Sequence, residues 1–260
     1  MPAINVDGLR VNYNDTGSGM PIVFVPGLAG AKDWFYYQAL GLADHYRIIS
    51  YDMRRSRNQT AYTHDILTDD LIRLLDRLRI YAAVVVGHGL GGLIAMQFAA
   101  MHPECCPALI LCSTSPSFPR LSDDEFISHM LPGEVKLESA IVRWWKRWFG
   151  RKAGPCAAEP NAILTECLSK IDHVTLAKRM NILRNTDLTS LVSEIEVPTL
   201  VTASTDDAAY ILAGSQVLEE SIPNASLEII EGTDRFYFHT RHDLFNAIID
   251  DYLAEKIALF

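Results

Sequence analysis

Two kinds of hydrophobic pattern alternate along the chain. Short runs rich in apolar residues stand at 21–25, 46–51, 84–86, 108–112 and 197–203, the first of them wholly apolar, and residues 226–230 read as a further strand. The run at 21–25 is of the kind buried on both faces, the habit of a parallel sheet, and the others read as its partner strands. Between them the apolar positions recur every three or four residues. In segment 62–80, Leu67, Leu71, Leu74, Leu75 and Leu78 share a face, with Asp69, Asp70, Arg73, Asp76 and Arg77 largely off it, which predicts an amphipathic helix. Helical patterns also start at Trp34, run from about 90 to 100, and fill 213–220 and 243–257. Residues 4–13 alternate and predict an antiparallel strand ahead of a turn at 15–19. This order implies right-handed parallel crossovers and an α/β class, a mostly parallel central sheet flanked by helices. From 115 to 191 the period-two runs stop and the pattern is helical, which predicts a helical cap inserted after the sixth strand. The core is then residues 1–114 and 192–260.

The most telling stretch runs from Val84 to Ala95. Three valines lead into Gly87-His88-Gly89-Leu90-Gly91-Gly92, and an apolar helix follows at once. A strand that reverses into a helix so sharply brings two backbones together and leaves no room for Cβ at Gly87 and Gly91. A dinucleotide fingerprint fits poorly: G-x-G-x-x-G is met only loosely, and no acidic residue ends a strand about twenty residues on. The stretch resembles the G-x-S-x-G elbow of the α/β-hydrolase superfamily, whose middle serine is the nucleophile. Here that position is Gly89.

The resemblance extends over nearly the whole core. It implies that the loop Pro26-Gly27-Leu28-Ala29-Gly30 supplies one backbone N–H of an oxyanion hole, that of Leu28, and that Leu90 supplies the other. Where the family writes D-x-R-G-x-G-x-S, this chain has Asp52-Met53-Arg54-Arg55-Ser56-Arg57, with arginine for both glycines. Three cations on one loop are either a solvated stretch paired with nearby acids or an anion site. After the seventh strand Asp207 matches the acid that orients the family's catalytic histidine, and after the last strand Arg235 stands in that histidine's slot. Gly89, Arg235 and Asp207 are thus the degenerate triad positions. His239, four residues after Arg235, and Asp207 are the candidate catalytic residues. Leu28, Leu90, His88, Arg235, Trp34, Trp144 and Trp148 are the candidate ligand-binding residues.

Composition narrows the picture further. A chain of 260 residues, 49% apolar and 21% charged, is long enough for one domain with a sizeable core. The formal net charge of -9 argues against a nucleic-acid surface. The basic, aromatic stretch 141–152 reads either as a membrane-surface helix or as cap aromatics roofing a pocket, with the second favoured. There is no leader-like segment and no apolar run of spanning length, and the five cysteines show no metal-ligand spacing. The expectation is a cytoplasmic protein with reduced thiols, no cofactor and no metal, whose partner is a small molecule. A homo-oligomer is left open.

Acyl transfer needs a nucleophile, a base touching it and an acid behind the base. Gly89 has no side chain, and an arginine cannot serve as a base. Three readings remain: a non-hydrolytic ligand-binding protein or regulator for a small, partly apolar carbonyl or carboxylate compound; a lyase, isomerase or cyclase using the oxyanion donors with Asp207, His239 or Arg235; and a hydrolase of an ester, thioester or lactone with relocated residues.

Overall fold

The computed structural model describes residues 2–6, 8–56, 61–119 and 158–257. Eight strands form one sheet in the order β1-β2-β4-β3-β5-β6-β7-β8. They are β1 (Ala3–Val6), β2 (Leu9–Thr16), β3 (Pro21–Val25), β4 (Arg47–Tyr51), β5 (Val84–His88), β6 (Leu109–Cys112), β7 (Thr199–Ser204) and β8 (Ala225–Ile230). β1 pairs antiparallel with β2 and β2 with β4, while every pairing from β4 through β8 is parallel. The apolar runs explain this. Every residue of β5, β6 and β7 is buried, which only a sheet covered on both faces allows. The alternation at 4–13 turns out to be two strands, because Gly8, at φ 84°, breaks it into a hairpin.

The helices are α1 (Tyr36–Gly41), α2 (His64–Leu78), α3 (Leu90–Met101), α4 (Ala158–Ser169), α5 (His173–Asn185), α6 (Ala209–Ser221), α7 (Tyr237–Thr240) and α8 (His242–Ile257). α2 starts where Thr63 caps it by accepting from the Ile66 N–H, and stops where Arg79 turns left-handed at φ 57°. α1 packs with α7 and α8, α2 with α3, and α6 against β7 and β8. The chain moves one way along the sheet from β3 to β4 and the other way from β5 onward. Right-handed crossovers then put helices on both faces.

Register carries the functional consequence. Val25 lies opposite Gly87, His88 opposite Cys112, Cys112 opposite Thr202, and Ser204 opposite Ile230. The segments that follow β3, β5, β6, β7 and β8 therefore emerge along one edge, where ligands of open α/β sheets collect.

Of the expected cap, α4 and α5 are described. α4 packs against the 3-10 turn Lys32–Phe35 and against α7. The chain leaves and re-enters the core side by side, with an antiparallel bridge between Ser117 and Asp187 and the Leu188 N–H donating to the Pro116 carbonyl at 2.9 Å. Trp144, Trp148, Arg57, Cys156 and the whole 141–152 stretch lie outside the described residues. Cys105, Cys106, Cys112 and Cys167 are free thiols. No helix among the described residues is long and apolar enough to cross a membrane.

Candidate functional site

The elbow takes the predicted shape. Gly89 caps α3 at φ 53° and ψ -113°, a conformation that L side chains rarely adopt. A Cβ on Gly87 would collide with the backbone of Gly91, and one on Gly91 with the carbonyl oxygens of Val25 and Pro26. These glycines let the first turn of α3 press against the loop that follows β3, so Leu28 and Leu90 sit on adjoining segments. The N–H groups of both make no hydrogen bond among the described residues. A Cβ on Gly89, by contrast, would meet only the Arg235 Nη2, at 3.7 Å. The guanidinium of Arg235 thus lies in van der Waals contact with the place where a side chain on residue 89 would begin, and leaves room for it.

Arg235 is 6% exposed. It donates from Nη2 to the Ser113 carbonyl at 3.4 Å, hydrogen-bonds the Tyr210 side chain, and lies 5.9 Å from the centre of the Phe236 ring. Sequence reasoning also implied a charge-assisted pair between Arg235 and Asp207, and here the structure differs. Asp207 Oδ2 accepts from Ser113 Oγ at 2.7 Å and from the Ser204 N–H at 3.0 Å, while Oδ1 is buried with no hydrogen-bond partner. Ser113 itself is fully buried at φ 41°, a left-handed conformation for a non-glycine residue, held by this bond and by its N–H on the Thr202 carbonyl at 2.8 Å. These two bonds, the second from a residue only three positions away in the same turn, hold the carboxylate in place of the arginine.

His239 is placed elsewhere. Its Nε2 lies 2.6 Å from the Trp34 carbonyl, and because a carbonyl only accepts, Nε2 carries the proton. Fully buried, with its ring edge-on to Tyr37 at 5.3 Å, it secures the 3-10 turn to α7. The structure does not bring His239 and Asp207 together. A four-residue spacing suggested one face with Arg235, but α7 begins only at Tyr237, so Arg235 lies outside the helix.

His88 and Trp34 form the apolar wall behind the elbow. Trp34 Nε1 donates to His88 Nδ1 at 3.4 Å, and the His88 ring packs 4.8 Å from Phe238 and 5.9 Å from Phe236. Burial, with the Arg235 cation as the next cause, holds the His88 imidazole well below its ordinary pKa, so it is neutral. Thr114 completes the frame, donating from Oγ1 to the Gly89 carbonyl at 2.8 Å. Among the described residues no three His, Cys, Asp or Glu side chains gather where they could hold a metal ion.

One organising residue was missed. Arg179, on α5, is 1% exposed and spends all five guanidinium donors inside the protein. Nε donates to Tyr62 Oη at 2.9 Å; Nη1 to the carbonyls of Leu28 and Ala29 at 3.0 and 2.7 Å; Nη2 to those of Met53 and Arg54 at 3.1 and 3.0 Å. It clamps the loop bearing the Leu28 N–H to the loop after β4. A signal was present: Leu176, Met180 and Leu183 are buried on α5, and Arg179 falls on that apolar face. Arg54, one of the three loop cations, forms a two-pronged pair with the buried Asp70, and Arg55 is exposed.

Comparisons with known proteins agree with this fold. A RutD protein of Yersinia enterocolitica, provisionally named a carbamate hydrolase, is 28% identical over 93% of this chain and 91% of its own. An enol-lactonase from Burkholderia xenovorans superposes with a TM-score of 0.78 at 23% identity, covering 97% of this chain and 99% of that one. The esterase EaEST of Exiguobacterium antarcticum gives 0.80 at 22%, covering 95% and 97%. The model of the α/β hydrolase fold family matches residues 20–165, and with the sheet order and the elbow this makes the chain a member of that family.

Proposed function

We propose that this protein binds a small, partly apolar carboxylate or carbonyl compound at the elbow and does not hydrolyse it by a Ser-His-Asp route. The observation that carries this reading is the Arg235 guanidinium 3.7 Å from the place where a side chain on Gly89 would start. A cation at the apex attracts a carboxylate where the family's nucleophile would attack an ester. The N–H groups of Leu28 and Leu90, the latter at a helix N-terminus, suit the same charge. Trp34, Phe236 and Phe238 pack together as a buried apolar wall beside it. The neutral His88 adds no charge and has no acidic partner to make it a base.

A second reading, hydrolysis by relocated residues, is favoured by the RutD relatives' names, which would make a carbamate the substrate. Calorimetric titration with acetate, butyrate and phenylacetate tests the first reading. Binding is expected to weaken about tenfold in Arg235→Gln and to recover in part in Arg235→Lys. Affinity should stay level between about pH 6 and pH 8, because an imidazole held below its ordinary pKa gains no proton in that window. Absence of binding, or affinity indifferent to Arg235→Gln, would overturn the reading.

A further inference from the structure

Behind the loop that carries Leu28 is a cavity of about 530 Å³, in the range of small-molecule sites. No elbow residue lines it, and neither Asp207 nor Arg235 does. Its charges are lopsided for a protein with a net charge of -9. Arg10 from β2, Arg54 and Arg55 from the loop after β4, Lys170 at the end of α4, and Arg179 face one acid, Asp52.

That acid is committed: Asp52 accepts from Asn12 Nδ2 at 3.0 Å and from the Lys32 N–H at 2.9 Å. Lys170 is paired with Glu166 at the surface and Arg54 with Asp70. Asp172, next to Ile171, caps α5 by accepting from the Thr175 N–H at 2.9 Å and Thr175 Oγ1 at 2.8 Å, and its carboxylate lies within electrostatic reach of Arg55 without a hydrogen bond to it. Arg10 and Arg55 are exposed and make no ion pair with a described residue. Arg179 is the decisive member. It is a buried cation whose five partners are four carbonyls and a phenol, with no carboxylate among them. A buried charge without an opposite charge is costly, and carbonyl dipoles compensate only part of it. An anion in the cavity would supply the rest.

We infer that this cavity is a second ligand site, separate from the elbow, for a phosphate-bearing small molecule. Two flexible guanidinium groups at the rim provide the forked donors that a phosphate accepts, and the charge of Arg179 stands at the wall. Leu9, Met53 and Ile171 line the same cavity and would meet the apolar part of the ligand.

The test is calorimetric titration of the full chain with inorganic pyrophosphate at fixed ionic strength. The wild type is expected to bind it saturably, and the Arg10→Gln, Arg55→Gln double variant to lose about tenfold or more in affinity. Its melting temperature should not move, since both side chains are exposed. Arg235→Gln is expected to bind pyrophosphate as the wild type does, which separates this site from the elbow. No saturable binding, equal binding by the double variant, or loss of binding in Arg235→Gln would each overturn the inference.

Discussion

Gly89 separates two costs that a serine at the elbow would incur together. The space for a Cβ exists, since its nearest contact would be the Arg235 guanidinium at 3.7 Å. The backbone conformation is the obstacle: at φ 53° and ψ -113° a side-chain-bearing residue is strained by about 1–3 kcal/mol. Gly89→Ser is therefore expected to fold and to lower the melting temperature by a few degrees. A thermal melt that is unchanged or higher would show the elbow to be relaxed for any residue. Ser113 shows the same economy in reverse. It accepts a left-handed backbone because its hydroxyl and N–H are both engaged, and through that hydroxyl it holds the Asp207 carboxylate.

At the scale of elements, α5 is what ties the loop after β3 to the loop after β4. Arg179 joins the Leu28–Ala29 backbone to the Met53–Arg54 backbone, and Thr175 adds a second attachment by accepting from the Ser56 N–H at 3.0 Å. Gly30, at φ 62°, permits this close approach, since a Cβ there would strike the guanidinium. Replacing Arg179 by methionine keeps most of the packing but leaves four carbonyls short of a donor, at about 1–3 kcal/mol for each one that stays buried and unpaired. The expected outcome is a large fall in melting temperature. Hydrogen exchange should also quicken at the Ala29 and Gly30 amides and stay unchanged in β6 and β7. Uniform loss of protection across the sheet would mean that Arg179 supports the fold as a whole and not this loop in particular.

At the scale of the whole molecule, the sheet was legible and the site only in part. Apolar runs have one stable home, a sheet covered on both faces, so β3 to β7 followed from pattern alone, while β8 (Ala225–Ile230) is a partly exposed edge strand that carries Glu228; the glycines of the elbow followed from the crowding of two backbones. Gly8 was harder to read, because an alternating pattern continues through a tight turn. Polar partnerships were harder still. Whether Asp207 meets Arg235 or Ser113 depends on fractions of an ångström between segments far apart in sequence, and no periodicity encodes that. His239 was read by spacing as a helical neighbour of Arg235, but the helix starts two residues too late. Arg179 was visible only as a charged residue on an apolar face.

The central claim is that the α/β-hydrolase architecture is retained while Ser-His-Asp acyl transfer is not. The most direct measurement is hydrolysis of short and medium nitrophenyl esters, thioesters and a carbamate by the wild type, by Asp207→Ala, and by a Gly89→Ser, Arg235→His double variant. The account predicts background rates in the first two and turnover only in the double variant, where a nucleophile and a base are restored beside Asp207. Wild-type turnover that disappears in Asp207→Ala would contradict it and establish a working hydrolase built on other residues.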